Sequence, residues 1–165
     1  MSKKESIKLI LMGIGEYVLT FLIFYAFTVA LHEWFHLTAT QLLGGDGYIT
    51  KTWFGGAMTF TERPAYPVIT AFAGGIGVAF FFFLLFFLDW LDDKEQAAAL
   101  FPLATSQLAY GIAEGIFLFI VSFEQFYDIA QIALGIGWVV GMIPSVYWLM
   151  QTIEGHIKSL ETPTE

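Results

Sequence analysis

The sequence predicts an all-α membrane protein, a bundle of about four transmembrane helices with a short β-hairpin between the first and the second. Three observations carry this reading. Of 165 residues, 57% are hydrophobic and 13% charged, with a mean hydropathy of +0.69; a soluble domain carries about 25% charged residues. Four apolar stretches each reach the ~20 residues a membrane helix requires. Between the first two, β-prone stretches flank Gly55-Gly56, a pair that permits a turn with positive φ.

The first span covers residues 7–43, interrupted by Glu16 and by a polar pentapeptide at 32–36. At about 1.5 Å per residue it exceeds a bilayer, so it tilts or projects from one face. Lys3 and Lys4 precede it as in a signal peptide. No small-residue cleavage site follows, so the segment is expected to be retained. The hairpin is expected over about 48–61, from stretches 48–53 and 57–61, with an irregular surface loop as the alternative. The second span, 65–88, has no charge and holds the run Phe80 to Phe87, read as lipid-facing or core-filling. The third, 97–122, has a single ionisable residue, Glu114. The fourth, 129–150, has none, and Pro144 is a kink point. Residues 89–95 form a short acidic connection, 123–128 a tight link, and the polar tail after Gln151 is expected to fray. The whole, residues 1–165, reads as a single integral membrane domain.

Composition also excludes. The net charge of −8 comes without a basic stripe, which argues against nucleic acid as a partner. The absence of cysteine rules out disulfides and thiolate metal sites.

The pentapeptide is His32-Glu33-Trp34-Phe35-His36. On a helix, His32 and His36 lie one turn apart on one face, the spacing two imidazoles need to grip one zinc ion. Glu33 then stands beside the metal as a general base, the catalytic residue. A charged, metal-binding segment is unfavourable within a membrane helix, so a function is expected of it. Two histidines merely satisfied by hydrogen bonds would be the bland alternative.

A catalytic zinc site takes three protein ligands, and depth in the bilayer selects the third. Spans one and three run in the same direction, and Glu114 lies at a depth similar to the histidines. His156 follows span four and falls near the opposite surface. Asp46, Glu124 and Asp128 are on the same side as the motif but in connections, where solvated charge is the default. Glu114 is therefore the expected ligand; otherwise it is a protonated or paired carboxyl in a helix bundle. Gly111 and Gly115 flank it in a Gly-x-x-x-Gly arrangement that lets another backbone approach closely. Glu16 falls nearly opposite the histidine face and stays outside the site.

With these elements assembled, the chain resembles the site-2-protease family of intramembrane zinc metalloproteases over roughly residues 18–118. The resemblance rests on Leu31-His32-Glu33-Trp34-Phe35-His36, the Gly-rich hairpin, Ala71-Phe72-Ala73-Gly74-Gly75, and the stretch from Ser106 to Gly115. Gly75 stands where the family has proline, Glu114 where it has aspartate, and the family's asparagine and its following proline are missing. The resemblance implies zinc as cofactor, and Gln107 as the amide that orients substrate. It also implies that an exposed strand within 48–60 pairs with a locally unwound substrate, and that Thr38, Thr40 and Gln41 line a water path. Lys3, Lys4, Lys8, Lys94 and Lys158 favour a cytoplasmic N-terminus, whereas the resemblance implies the reverse orientation.

The expected function is a zinc-dependent intramembrane endopeptidase of the cell membrane, cleaving transmembrane helices of membrane protein or peptide substrates. A non-proteolytic zinc-binding membrane protein of the same fold, acting as a regulatory or binding partner, is the alternative. A small transporter-like bundle using Glu114 and the histidines as a relay is a third.

Overall fold

The computed structural model describes residues 3–51, 57–63 and 66–161. Helix α1 (Lys3–Leu42) leads into an antiparallel hairpin of β1 (Gly47–Lys51) and β2 (Ala57–Thr61). Helices α2 (Pro67–Asp89), α3 (Lys94–Phe117) and α4 (Phe123–Glu161) follow. The expected turn at Gly55-Gly56 lies outside the described residues, as do Trp53, Ala65 and the tail beyond Glu161.

Helices α1, α2 and α4 are long and apolar enough to cross a membrane. The third expected span, α3, rises ~36 Å, about as far as α2, but is less apolar. Its surroundings explain why. α3 packs along both α2 and α4 and also meets α1, so it faces protein where the others face outward. Ala97, Ala98, Ala99, Leu100, Leu103 and Ala104 are all fully buried. The phenylalanine run of α2 does both things expected of it, by helical periodicity. Phe82 and Phe86 are in the core, while Phe80 and Phe87 are 68% and 65% exposed.

Caps set the helix boundaries. α1 ends in a left-handed glycine, Gly44, at φ 81°. The Gly45 amide donates to the Thr40 carbonyl and the Gly44 amide to that of Gln41, satisfying two carbonyls of the last turn. Asp93 accepts from the Gln96 amide at 3.0 Å and starts α3 at Lys94, ahead of the expected residue 97. Ser122 and Gln125 form a reciprocal capping box, each side chain bonded to the other's backbone amide at 3.4 and 3.3 Å. That cap ends the turns after Phe117 and starts α4 at Phe123. Residues 123–128, expected as a link, are thus the first turns of α4, and α3 stops short of the expected 122. α4 also continues past the expected 150 and through Pro144. Its polar end, expected to fray, is helical to Glu161. The Lys158–Glu154 pair at 2.6 Å adds i,i+4 support there.

Helices α2 and α3 meet backbone to backbone. A β-carbon on Gly75 would lie 2.6 Å from the Gln107 carbonyl oxygen, and one on Gly111 would lie 2.6 Å from the Ile76 nitrogen. Gly115 likewise leaves room for the Phe72 ring. The Gly-x-x-x-Gly of α3 therefore docks on α2. Gly75→Val is expected to force the two helices apart and destabilise the bundle by about 1–3 kcal/mol, the usual penalty of overpacking. Thermal unfolding in detergent measures it, and an unchanged midpoint would contradict the contact.

Candidate metal centre

His32 and His36 sit on the face of α1 turned into the bundle, each 8% exposed. Glu114 of α3 reaches them. Its Oε2 lies 3.3 Å from His32 Nε2 and its Oε1 3.4 Å from His36 Nε2. The three residues each offer one ligand atom, all within 4.8 Å of one another. The depth comparison of spans one and three thus pairs the same acid with the histidines that the fold does.

The hydrogen bonds around the cluster decide where its lone pairs point. His36 Nδ1 is 2.7 Å from the Thr70 carbonyl oxygen, which can only accept. Nδ1 therefore carries a proton, and in the neutral ring Nε2 then carries a lone pair. His32 Nδ1 lies 3.3 Å from Gln107 Oε1 and is oriented the same way. The two Nε2 atoms then face each other at 2.9 Å, with a carboxylate beside them. Converging lone pairs repel unless a proton or a cation lies among them. Glu114 Oε2 is in addition buried without any hydrogen bond, an arrangement unfavourable for a carboxylate that has no positive partner. Two imidazoles and a carboxylate, each ring held through its other nitrogen, form a donor set that divalent transition metals accept.

A third element makes room for the cluster. Gly74 of α2 faces the two rings, and a β-carbon there would lie 2.7 Å from His32 Nε2 and closer still to His36 Nε2. The space a methyl group would fill is the space in front of the ligand atoms.

Glu33, on the next face of α1, does not join the cluster. Its Oε2 accepts from the Thr59 amide of β2 at 2.6 Å, and the Thr59 hydroxyl donates to the Glu33 carbonyl at 2.9 Å. These bonds fasten the hairpin to the motif. They also show that the Thr59 amide points away from β1, so this edge of β2 faces α1. Ile49 is its register partner across the ladder.

Glu33, the two histidines, Gln107, Tyr110 and Glu114 all line one open cavity of about 770 Å³. Its far wall comes from α1 and α4, with Tyr25, Leu134 and Trp138. Its polar side chains include Thr28, Thr59, Thr61 and Thr70. The expected water-path residues are placed elsewhere. Thr38, Thr40 and Gln41 are not in the cavity wall, and Gln41 faces outward. The reason is local, since one turn beyond His36 the helix meets the hairpin.

The remaining candidates are away from the cluster. Asp46, Glu124 and Asp128 are exposed, the latter two on the opening turns of α4. His156 pairs at 3.3 Å with Glu95. Glu95 lies at the other end of α3, about 28 Å from Glu114 along the helix. Glu16 is exposed, near that same end. Gln107, expected to orient substrate, is in the wall, but its side-chain oxygen is directed at His32. Thr59, Thr70, Gly74 and Tyr110 escaped sequence reasoning. Tyr110 alone left a signal, because Gln107, Tyr110 and Glu114 at i, i+3 and i+7 share one helix face. Comparison with protein-family models, curated proteins and solved structures found no match to this chain.

Metal analysis of protein purified in detergent is expected to find about one divalent ion per chain. His32→Ala, His36→Ala and Glu114→Ala should each lose most of it, because the apolar surroundings supply no substitute ligand. His156→Ala should retain it. Loss in His156→Ala with retention in Glu114→Ala would refute the assignment. Gly74→Val, which changes no ligand, is also expected to lose the ion.

Proposed function

We propose that this chain is a zinc-dependent endopeptidase of the cell membrane that cleaves transmembrane helices of other membrane proteins. One observation carries the reading: two imidazoles and a carboxylate converge beside a second carboxylate, Glu33, within one largely apolar cavity. The same reading assigns the chain to the site-2-protease family, on its motif, the hairpin after it, the Gly74-Gly75 helix and the acid of α3. It also has α3 cross the bilayer inside the bundle, as a fourth span.

His32, His36 and Glu114 are the residues that would hold the ion. A zinc ion bound there supplies Lewis acidity, polarising a peptide carbonyl and making water a better nucleophile at neutral pH. The chain's own residues do the rest. Glu33 accepts the proton that water gives up as it attacks, and returns it to the departing amine nitrogen. The Thr59 amide holds one oxygen of that carboxylate in place, while Oε1 accepts no hydrogen bond among the described residues. The threonines of the wall offer water a polar path through otherwise apolar surroundings.

A membrane helix shields its peptide bonds with its own hydrogen bonds, so it must unwind to be cut. The edge of β2 on either side of the Thr59 amide, which Glu33 already holds, offers main-chain partners to such an unwound segment. The wall formed by Tyr25, Leu134 and Trp138 suits apolar side chains. Lys8, Lys94 and Lys158 fall at the bundle end opposite the cluster, so the site opens to the face away from these charges.

Glu33→Gln keeps size and hydrogen-bonding capacity and removes only the proton acceptor. It is expected to retain zinc and to lower cleavage of a helix-destabilised transmembrane peptide by about 10²–10⁴-fold, with products read by mass spectrometry. Undiminished cleavage would assign the activity to a contaminant. A zinc-loaded wild type inert across a broad peptide panel would favour a zinc-binding partner protein of the same fold.

A further inference from the structure

We propose that Tyr110 is a further catalytic residue, whose hydroxyl donates a hydrogen bond to the carbonyl oxygen of the scissile peptide as that oxygen gains negative charge. The inference rests on the endopeptidase reading above. Tyr110 stands one helical turn before Glu114 on α3. Its ring meets His32 edge to face, with centroids 5.3 Å apart and planes at 78°. The phenol ring is rigid, so this packing also fixes where the hydroxyl can go.

The hydroxyl has no hydrogen-bond partner among the described residues, and it is not sealed off either, because Tyr110 is part of the cavity wall. A tyrosine that packs its ring this deeply usually satisfies its hydroxyl. Tyr17 does so in the same bundle, 2.8 Å from Ser145 Oγ. Tyr110 therefore keeps a free donor at the cavity, beside His32, Glu33 and Glu114.

Peptide hydrolysis needs such a donor. Water adds to the carbonyl carbon, its proton passes to Glu33, and the C=O electron pair moves onto oxygen. Collapse restores the carbonyl and breaks the C–N bond, and the amine leaves with the proton from Glu33. The negative charge on oxygen exists only midway, so a donor aimed there stabilises the transition state more than the substrate. Among the described residues no lysine or arginine lines the cavity. Of the other uncharged donors near the cluster, the Thr70 hydroxyl is bonded to the Tyr66 carbonyl, and Gln107 is held to His32 through its oxygen, which leaves its NH2 group as a second donor in the wall. A phenol O–H donates a hydrogen bond without adding charge.

The test uses the full chain in detergent, loaded with zinc, as wild type and Tyr110→Phe. The substrate is a helix-destabilised transmembrane peptide, and the probe is its phosphinic analogue, a tetrahedral mimic that cannot be cleaved. Tyr110→Phe keeps the ring, so it should hold as much zinc as wild type and bind the peptide with an unchanged KM. Its kcat should fall by about 10²–10³-fold. Calorimetry should show the phosphinic peptide bound more weakly by a similar factor. Unchanged kcat with unchanged affinity for the analogue would overturn the proposal and leave Tyr110 as a packing residue. Loss of zinc in Tyr110→Phe would overturn it too, by making the hydroxyl a metal ligand. A zinc-loaded wild type that neither cleaves the peptide nor binds the analogue would bring down the endopeptidase reading itself, and a comparison of variants is not needed to see that.

Discussion

Two imidazole nitrogens face each other at 2.9 Å with a carboxylate 3.3–3.4 Å away, and no other hydrogen-bond partner reaches these atoms among the described residues. Everything nearby serves to keep that arrangement open. α1 and α3 must lie side by side at matching depth, and α2 must cross in front of them without intruding. Gly74 meets that demand at the cluster itself, and the Gly75–Gly111 contact sets the distance between α2 and α3. Side chains larger than hydrogen at these places would either fill the space before the ligand atoms or pry the helices apart. Lone pairs brought together in this way are relieved by a proton or a cation, and the three residues could hold a metal ion.

Three helices long and apolar enough to cross a membrane account for how the polar residues are distributed. Three helices present apolar surface outward, while α3 is enclosed by the other helices and can afford serine, glutamine, glutamate and glycine. Its two glutamates serve opposite ends. Glu114 joins the histidines, and Glu95 pairs with His156 where the α2–α3 turn meets the end of α4. Near that second end Phe86, Trp90, Phe101 and Trp148 pack together, with ring centroids 5.0–5.6 Å apart. A cavity of about 720 Å³ opens there too, lined by Trp90, Glu95, Trp148 and His156.

The hairpin belongs to the site as much as the helices do. Thr59 is bonded twice to Glu33, once through its amide and once through its hydroxyl. The motif helix and the β2 edge therefore move together, and the carboxylate that we propose as the base is oriented by the strand that we propose as the substrate platform. Tyr48 stacked on Phe60, centroids 5.7 Å apart, stiffens the same hairpin across its two strands.

The local chemistry was legible in the sequence. The i,i+4 histidines, a glutamate alone in an apolar span and the glycines around it identify the residues that converge, because helical periodicity and bilayer depth act on sequence directly. Some boundary signals were also present and went unread, among them the Asp93–Gln96 cap and the Ser122–Gln125 box that add turns to α3 and α4. Tertiary structure decided what depends on neighbours. It gave Gln107 to His32, gave the Thr59 amide to Glu33, sent the polar wall to threonines of α1, β2 and α2, and left Tyr110 with a free hydroxyl. It also made α3 the enclosed helix. A one-dimensional pattern states which faces are apolar or polar; which backbone amide or ring stands opposite a given side chain is fixed only when helices distant in sequence pack together.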